Sequence, residues 1–116
     1  MTFAEKYEEL KTKYAAHADF SKVREDFAAE VTLTDEDCGG TFYVTWLKGK
    51  LEIAPYRYYD RTVSVRIDSA LLEALLQGKK NPVNEFLLGN VDAEGEPAHA
   101  LALIDGMKRK RGPRRV

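Results

Sequence analysis

The sequence predicts an α+β fold in which helices gather on one face of a mainly antiparallel, five-stranded sheet. The first observation is the order of elements: a helix, four strands, two helices, a strand and a final helix. The second is a strict alternation of apolar and polar residues over 61–68, which is typical of a strand with one covered and one wet face. The third is the length of 116 residues, which suits one domain that buries about two-thirds of its unfolded surface.

The first helix is predicted by apolar residues that recur at spacings of three and four: Phe3, Tyr7, Leu10 and Tyr14. Thr2 is its candidate N-cap, and Glu5 occupies the capping-box position. Ser21 is a candidate cap for a further short helical turn over residues 23–27.

Four strands are predicted next, over residues 29–34, 41–47, 51–54 and 61–68. Alternation places Phe42, Val44 and Trp46 on one face of the second strand. A tight hairpin at Gly49 leads into the third strand. In the fourth strand the inward residues are Val63, Val65 and Ile67.

Helical signals return after this strand. Asp68 or Ser69 caps a helix that ends at Gly78, with an apolar stripe of Leu71, Leu72, Leu75 and Leu76. Asn81 caps a short second helix with Pro82 at its first position, and its predicted buried side is Val83, Phe86 and Leu87. A strand over 91–94 and a helix from Pro97 to about Met107 complete the pattern.

The composition, 44% hydrophobic and 32% charged, is that of a soluble globular protein, and no apolar run could span a bilayer. The amino end also lacks the apolar block of a signal peptide, so a cytoplasmic location is predicted. Cys38 is the only cysteine, which excludes an internal disulfide and a thiolate metal cluster.

Charge divides the chain into an acidic body and a basic end. Residues 1–107, the predicted single domain, hold 12 basic and 19 acidic side chains, a balance of −7. Residues 108–116 carry six positive charges and no negative one, and they are predicted to form a disordered tail. Three roles stay open for this tail: a solubilising segment, weak contact with an anionic membrane surface, or nonspecific contact with nucleic acid. No specific nucleic-acid partner is predicted, because the tail has no interleaved aromatic residues.

Signals of catalytic or metal chemistry are weak. His17 and His99 are isolated and suit surface or helix-end roles. The run 35–37 with Cys38 is a candidate cation site by composition only, and a solvated turn is the favoured interpretation. No catalytic residue, metal or cofactor is predicted.

Three features of the chain carry a family resemblance. They are the antiparallel block 31–67, the helix 69–78 that closes on a Gly-Lys pair, and the segment 81–95 together with residues 98–104. This last segment is similar to the pattern Gly-Lys-x-x-Pro…Phe-x-x-Gly-x-(apolar)-x-(apolar)-x-Gly. Over residues 20–107 the chain resembles the sterol carrier protein type-2 family.

The resemblance implies a twisted five-stranded sheet and an apolar tunnel between the sheet and the helices. It further implies non-catalytic binding or transfer of a lipid or acyl-chain ligand: a fatty acid, acyl-CoA or a sterol-like molecule. The expected ligand-binding residues are Phe42, Val44, Trp46, Ile53, Val65, Leu72, Leu75, Leu76, Phe86, Leu87, Leu101 and Tyr58. On periodicity alone the same apolar residues could fill a solid core, and the chain would then be a protein-interaction or accessory module.

The tyrosine-rich run 56–61 has two open interpretations. Its tyrosines could gate the mouth of the tunnel, with Arg57 or Arg61 pairing a ligand carboxylate. Alternatively, the run is a half-exposed connection whose aromatic rings pack across neighbouring strands. The sequence does not predict the oligomeric state.

Overall fold

The computed structural model describes residues 1–108 and shows a five-stranded mixed sheet with four α-helices, which confirms the predicted fold class. The elements are α1 Phe3–Lys13, a 3₁₀ turn Ala15–His17, β1 Phe27–Leu33, β2 Gly40–Leu47, β3 Lys50–Ala54, β4 Val63–Ile67, α2 Ser69–Leu76, α3 Pro82–Leu87, β5 Asp92–Gly95 and α4 Pro97–Met107. The predicted tail 108–116 lies outside the described residues apart from Lys108. None of the helices within residues 1–108 combines the length and the apolar character needed to cross a bilayer.

The strands lie in the order β3-β2-β1-β4-β5, so the first strand of the chain occupies the middle of the sheet. β1 pairs antiparallel with β2 and parallel with β4, where Ala29 lies opposite Val63. The other two pairs are antiparallel, and β5 lies at the edge beside β4. The prediction of a mainly antiparallel sheet is therefore confirmed, with one parallel pair at its centre.

One face of the sheet is covered by the helices. Val31 lies opposite Phe42 on one side and Val65 on the other, so these three side chains point to the same face. Above β2, the Tyr7 ring of α1 lies edge-on to Phe42 with ring centroids 5.9 Å apart. The α1 stripe predicted from spacing is confirmed, since Tyr7, Leu10 and Tyr14 are buried and Phe3 packs against the same core.

Helix caps appear where the sequence predicts them. Thr2 Oγ1 accepts from the Glu5 N–H at 3.2 Å, and the Glu5 carboxylate accepts from the Thr2 N–H at 2.8 Å, which completes the capping box. Asp68, not Ser69, caps α2, and Asn81 caps α3.

The predicted helical turn after Ser21 is wrong. The Ser21 N–H donates to Asp19 Oδ1 at 3.0 Å in a turn, and β1 already begins at Phe27. The Phe27 ring is fully buried against Phe20, with centroids 5.4 Å apart, and this tertiary contact outweighs the local helical signal.

The second face of the sheet is less wet than the strand pattern predicts. The connection 55–62 runs from β3 to β4 across this face and covers Glu30 of β1. The Glu30 side chain is 3% exposed and accepts the Tyr58 N–H at 3.0 Å. Arg57 Nε and Arg61 Nε lie 3.6 and 3.8 Å from its carboxylate oxygens. A charge is therefore buried on this face only where the connection supplies partners for it.

The start of α2 is held by the turn between β1 and β2. Asp35 accepts the Ser69 N–H at 2.8 Å through one carboxylate oxygen and the Ser69 hydroxyl at 2.9 Å through the other. Burial by itself would raise the pKa of Asp35, but the hydrogen bonds from Ser69 outweigh it and hold the pKa below the ordinary 3.8.

Replacing Asp35 by Asn is expected to destabilise the protein by about 1–2 kcal/mol at neutral pH, because the charge-assisted hydrogen bonds are lost. A carboxyl whose pKa is depressed by folding stabilises the native state fully above its ordinary pKa. That stabilisation begins to be lost near pH 3.8 and disappears as the pH falls through the lower folded-state pKa, so the difference between the two proteins should shrink progressively below pH 3.8. Urea unfolding of both proteins across pH checks this, with the exposed Asp60→Asn as control. A difference that grows in acid would contradict it.

Candidate functional site

A cavity of about 320 Å³ lies between the sheet and the helices. Its floor is formed by three of the five strands, β1, β4 and β5, and α2, α3 and α4 form its walls. Every residue that lines it is apolar: Val31, Val65, Ile67, Leu72, Leu75, Pro82, Val83, Phe86, Leu87, Val91, Ala93, Pro97, Ala100, Leu101, Leu103 and Ile104. We refer to this space as the cavity.

The floor of the cavity follows from strand register. Val31, Val65 and Ala93 lie side by side on three neighbouring strands and point to the helical face. Ala93 in this row and Ala100 on α4 are small side chains that leave space which larger residues would fill. Small residues on β5 and α4 thus contribute to the space of the cavity.

Polar contacts between α1 and α2 hold one wall of the cavity in place. Lys6 Nζ lies 3.1 Å from Glu73 Oε2, and Gln77 Nε2 donates to the Tyr14 hydroxyl at 2.9 Å. Hydrogen bonding to Glu9 and then to Glu73 raises the pKa of Lys6 above its ordinary value. None of these polar side chains lines the cavity, whereas Leu72 and Leu75 of the same helix do.

Helix α3 differs from its prediction. Val83, Phe86 and Leu87 were expected to be its buried side, but 47%, 46% and 76% of their surfaces are exposed. The buried side chain is Glu85, whose carboxylate accepts from the Asn90 side-chain amide at 3.0 Å. The prediction is wrong because α3 spans only six residues and lies over the cavity, not over a filled core. Its apolar residues line the cavity and also face solvent, so α3 forms the mouth.

Six of the twelve residues expected to contact a ligand lie on the cavity wall: Val65, Leu72, Leu75, Phe86, Leu87 and Leu101. They come from β4 and all three walls. That a ligand contacts them stays a prediction.

The other six expected residues lie away from the cavity lining. Phe42, Val44 and Leu76 are fully buried in the core, and Ile53 is partly buried on the edge strand β3. The Trp46 ring packs on Phe20 with centroids 5.5 Å apart. Four of these five lie on the helical side of β2 and β3, and Leu76 lies on α2. Over β2, the amino-terminal segment and not the cavity covers this side of the sheet.

Tyr58 lies on the opposite side of the sheet. Its ring is 4.9 Å from that of Tyr43, and its N–H donates to Glu30, and both partners point away from the helices. The structure therefore brings Tyr58 into cross-strand packing and not to the cavity mouth. Arg57 and Arg61 likewise face Glu30.

Sequence reasoning missed most of the α4 and β5 contribution, including Ala93, Ala100, Leu103 and Ile104. The spacing of Ala100, Leu103 and Ile104 is itself a helical stripe and could have indicated that α4 contributes a wall of the cavity. Alanines that face each other across a gap give no such signal, since an alanine is equally common in filled cores.

His99 joins three segments of the chain. Its Nδ1 lies 2.7 Å from Thr62 Oγ1 and its Nε2 lies 2.7 Å from Glu25 Oε1. The Thr62 hydroxyl also donates to the Ala28 carbonyl at 3.1 Å, so its proton is engaged in the sheet. The arrangement ties the first turn of α4 to β1 and β4, in line with the helix-end role predicted for His99.

The acidic turn contains the one group of potential metal donors found among residues 1–108. Donor atoms of Asp35, Asp37 and Cys38 lie within 4.8 Å of one another. Asp35 is committed to Ser69, and the Asp37 carboxylate accepts the Cys38 N–H at 2.9 Å. Burial raises the pKa of the Cys38 thiol, which disfavours the thiolate that a metal would need. Helix anchoring accounts for this cluster.

Comparison of the sequence with models of known protein families gave no match, and comparison with the curated proteins gave none either. Comparison of the structure with solved structures gave clear matches.

Three solved structures illustrate these matches. The first is a stereoselective inverting sec-alkylsulfatase, Pisa1, from Pseudomonas sp., with a TM-score of 0.71 and 19% identity over 87% of this chain. The second is sterol carrier protein 2 like 2 from Aedes aegypti, with a TM-score of 0.62 and 13% identity over 88% of this chain and 93% of its own. The third is sterol carrier protein 2 from Aedes aegypti in complex with palmitate, with a TM-score of 0.64 and 12% identity over 91% of this chain and 97% of its own.

These likenesses show that the chain has a fold like that of sterol carrier protein 2. The sterol carrier structures are covered over nearly their whole length. By contrast, this chain spans only 16% of the length of the alkylsulfatase.

Proposed function

We propose that this chain binds the apolar chain of a fatty acid or related amphiphile in the cavity and catalyses no reaction itself. The observation that carries the proposal is a cavity of about 320 Å³ whose lining residues are all apolar. Binding at such a site is favourable because it removes apolar ligand surface from water, which contributes about 0.8 kcal/mol of binding free energy for each buried methylene. The palmitate complex of a protein with the same fold supports it.

The volume limits the ligand. An engineered cavity of about 150 Å³ in another protein holds one benzene molecule, so a cavity of 320 Å³ holds about twelve carbon atoms. A flexible chain of that length fits, whereas a complete sterol skeleton is larger than the cavity. We therefore favour an acyl or alkyl chain over a sterol.

The head group of the ligand lies outside the cavity in this proposal. A carboxylate inside an apolar cavity would lose its hydration without gaining a partner, at a cost of several kcal/mol. The head therefore projects past α3, where Phe86 and Leu87 are both exposed and part of the lining.

A solid-core interaction module is the less favoured alternative, because a cavity of several hundred cubic ångströms is at odds with a filled interior.

The likeness to a segment of an alkylsulfatase favours a second candidate, in which the same cavity holds an alkyl chain for a separate catalytic domain. If so, an alkyl sulfate should compete for the cavity as well as a fatty acid of equal length. A preference of more than about tenfold for the carboxylate would contradict that candidate.

Chain length provides the direct test. Affinity for saturated fatty acids is expected to rise about two- to fourfold for each added methylene, and to level off near twelve carbons. Competition against a fluorescent acyl probe measures this series, and native mass spectrometry of the purified protein detects any lipid that remains bound. Failure of every fatty acid to displace the probe, or affinities that do not vary with chain length, would contradict the proposal.

A further inference from the structure

The mouth of the cavity is an exposed apolar surface. Val83, Phe86 and Leu87 of α3 and Leu101 of α4 line one cavity and are all between 42% and 76% exposed. The next residue, Leu88, is 70% exposed and does not line the cavity. Single exposed apolar residues are ordinary, but a continuous group of this kind marks an interaction site. We call these five residues the mouth surface.

Positive charge lies directly beside the mouth surface. Lys79 and Lys80 immediately precede α3 and are exposed. The Lys108 side chain reaches the same place, since its Cε would be 3.5 Å from a Cβ built on Gly78. The sequence continues from Lys108 with five more basic residues and no acidic one. Lys79, Lys80 and Lys108 make up the basic group at the mouth, on a chain whose residues 1–107 have a charge balance of −7.

Two acidic side chains on the helices next to this group, Glu73 and Glu85, are engaged elsewhere. Glu73 of α2 pairs with Lys6 at 3.1 Å. Glu85 of α3 is buried and bonded to Asn90. The lysines at the mouth are therefore not neutralised by these two carboxylates.

We propose that the mouth surface and its lysines dock on an anionic lipid surface, with α3 lying in the headgroup region. Apolar side chains flanked by lysines bind such interfaces through buried apolar area and attraction to anionic lipids. The inference rests on the proposed function, because docking at the mouth would let an acyl chain pass between bilayer and cavity without crossing water.

A lipid surface fits the mouth surface better than a second copy of the chain. Two copies that met at α3 would bring Lys79, Lys80 and Lys108 of one copy towards the same residues of the other. Like charges at close range oppose such a contact. An anionic bilayer provides both an apolar phase for the mouth surface and negative charge for the lysines.

Vesicle sedimentation with the full chain tests the proposal. The protein should bind phosphatidylcholine vesicles that contain phosphatidylglycerol at least about tenfold more tightly than pure phosphatidylcholine vesicles. Lys79→Glu combined with Lys80→Glu should weaken this binding at least about tenfold. Leu88→Ser should weaken vesicle binding about tenfold, because serine lacks the apolar side chain that leucine places in the lipid interface.

Matched controls lie away from the mouth. Lys50→Glu reverses an exposed lysine on the edge strand β3. Tyr59→Ser removes a ring that is 94% exposed in the connection on the other sheet face. Both variants should bind vesicles like the parent chain, and circular dichroism should show the same fold for all variants.

Each remaining outcome has a definite meaning. Equal binding to both vesicle types, no binding, or binding unchanged in the Lys79/Lys80 and Leu88 variants would overturn the proposal. A concentration-dependent dimer that Leu88→Ser abolishes would also overturn it, in favour of a second copy. Acyl-probe affinity is measured in parallel without vesicles and should be unchanged in Leu88→Ser. If the parent chain does not bind the acyl probe, the proposed function fails. If it binds the probe but does not bind anionic vesicles, only the docking surface fails.

Discussion

Replacing Ala100 by Phe is expected to weaken acyl-probe binding by at least about a hundredfold while leaving the fold as stable as before. Ala100 lines the cavity from α4. A phenyl ring takes about half of the 320 Å³, since 150 Å³ suffices for benzene. A ligand would then lose contact for about six carbon atoms, each worth about 0.8 kcal/mol before ordering costs are subtracted. Burial of the new ring offsets the slightly lower helix propensity of Phe.

Ala98→Phe is the matched control for this experiment. Ala98 lies two residues earlier on α4, is exposed, and does not line the cavity. Its replacement should leave probe affinity unchanged. If Ala100→Phe binds the probe as well as the parent chain does, the cavity is not the binding site.

Replacing Gly106 by Ala is expected to destabilise the protein by about 2–3 kcal/mol. On an open helix the same change stabilises by about 1 kcal/mol, because alanine is the better helix former. Here an added Cβ would overlap the Phe20 ring. That ring is 2% exposed and is fixed between Phe27 and Trp46, so it has no room to move. The Asp19 N–H also donates to the Gly106 carbonyl at 2.9 Å, which holds α4 against this segment.

A double-mutant cycle with Phe20→Leu isolates the cause. Each single variant should be destabilised in urea unfolding, whereas Gly106→Ala should cost much less when Phe20 is already Leu. The expected coupling is about 1–3 kcal/mol. Additive effects would show that the loss does not come from the contact with Phe20.

Local sequence signals predicted the elements well, because each depended on neighbours along the chain. The capping box at Thr2, the Asn81-Pro82 helix start and the alternation around Val65 are satisfied within a few residues. The helical turn after Ser21 was the exception, since the burial of Phe27 depends on Phe20 and the sheet.

The location of the cavity could not be predicted in the same way, because it depends on strand order. Val44 and Val65 have the same alternation and point to the same sheet face. They differ only in what covers them. Tyr7 and Phe20 fill the space over β2, whereas Ala93 and Ala100 leave space over β4 and β5. Hydrophobic periodicity in the sequence does not indicate that the N-terminal segment packs over β2 and not over β4 and β5.

The central place of β1 affects how the chain can fold. β1 is the first strand to be synthesised, but its parallel neighbour β4 begins only at Val63, after a hairpin and a long connection. Pairing between strands so distant in sequence is slow to form. Until β4 pairs with β1, a nascent or refolding chain exposes an unpaired apolar strand edge, and such edges promote aggregation. Refolding yield should therefore depend strongly on protein concentration.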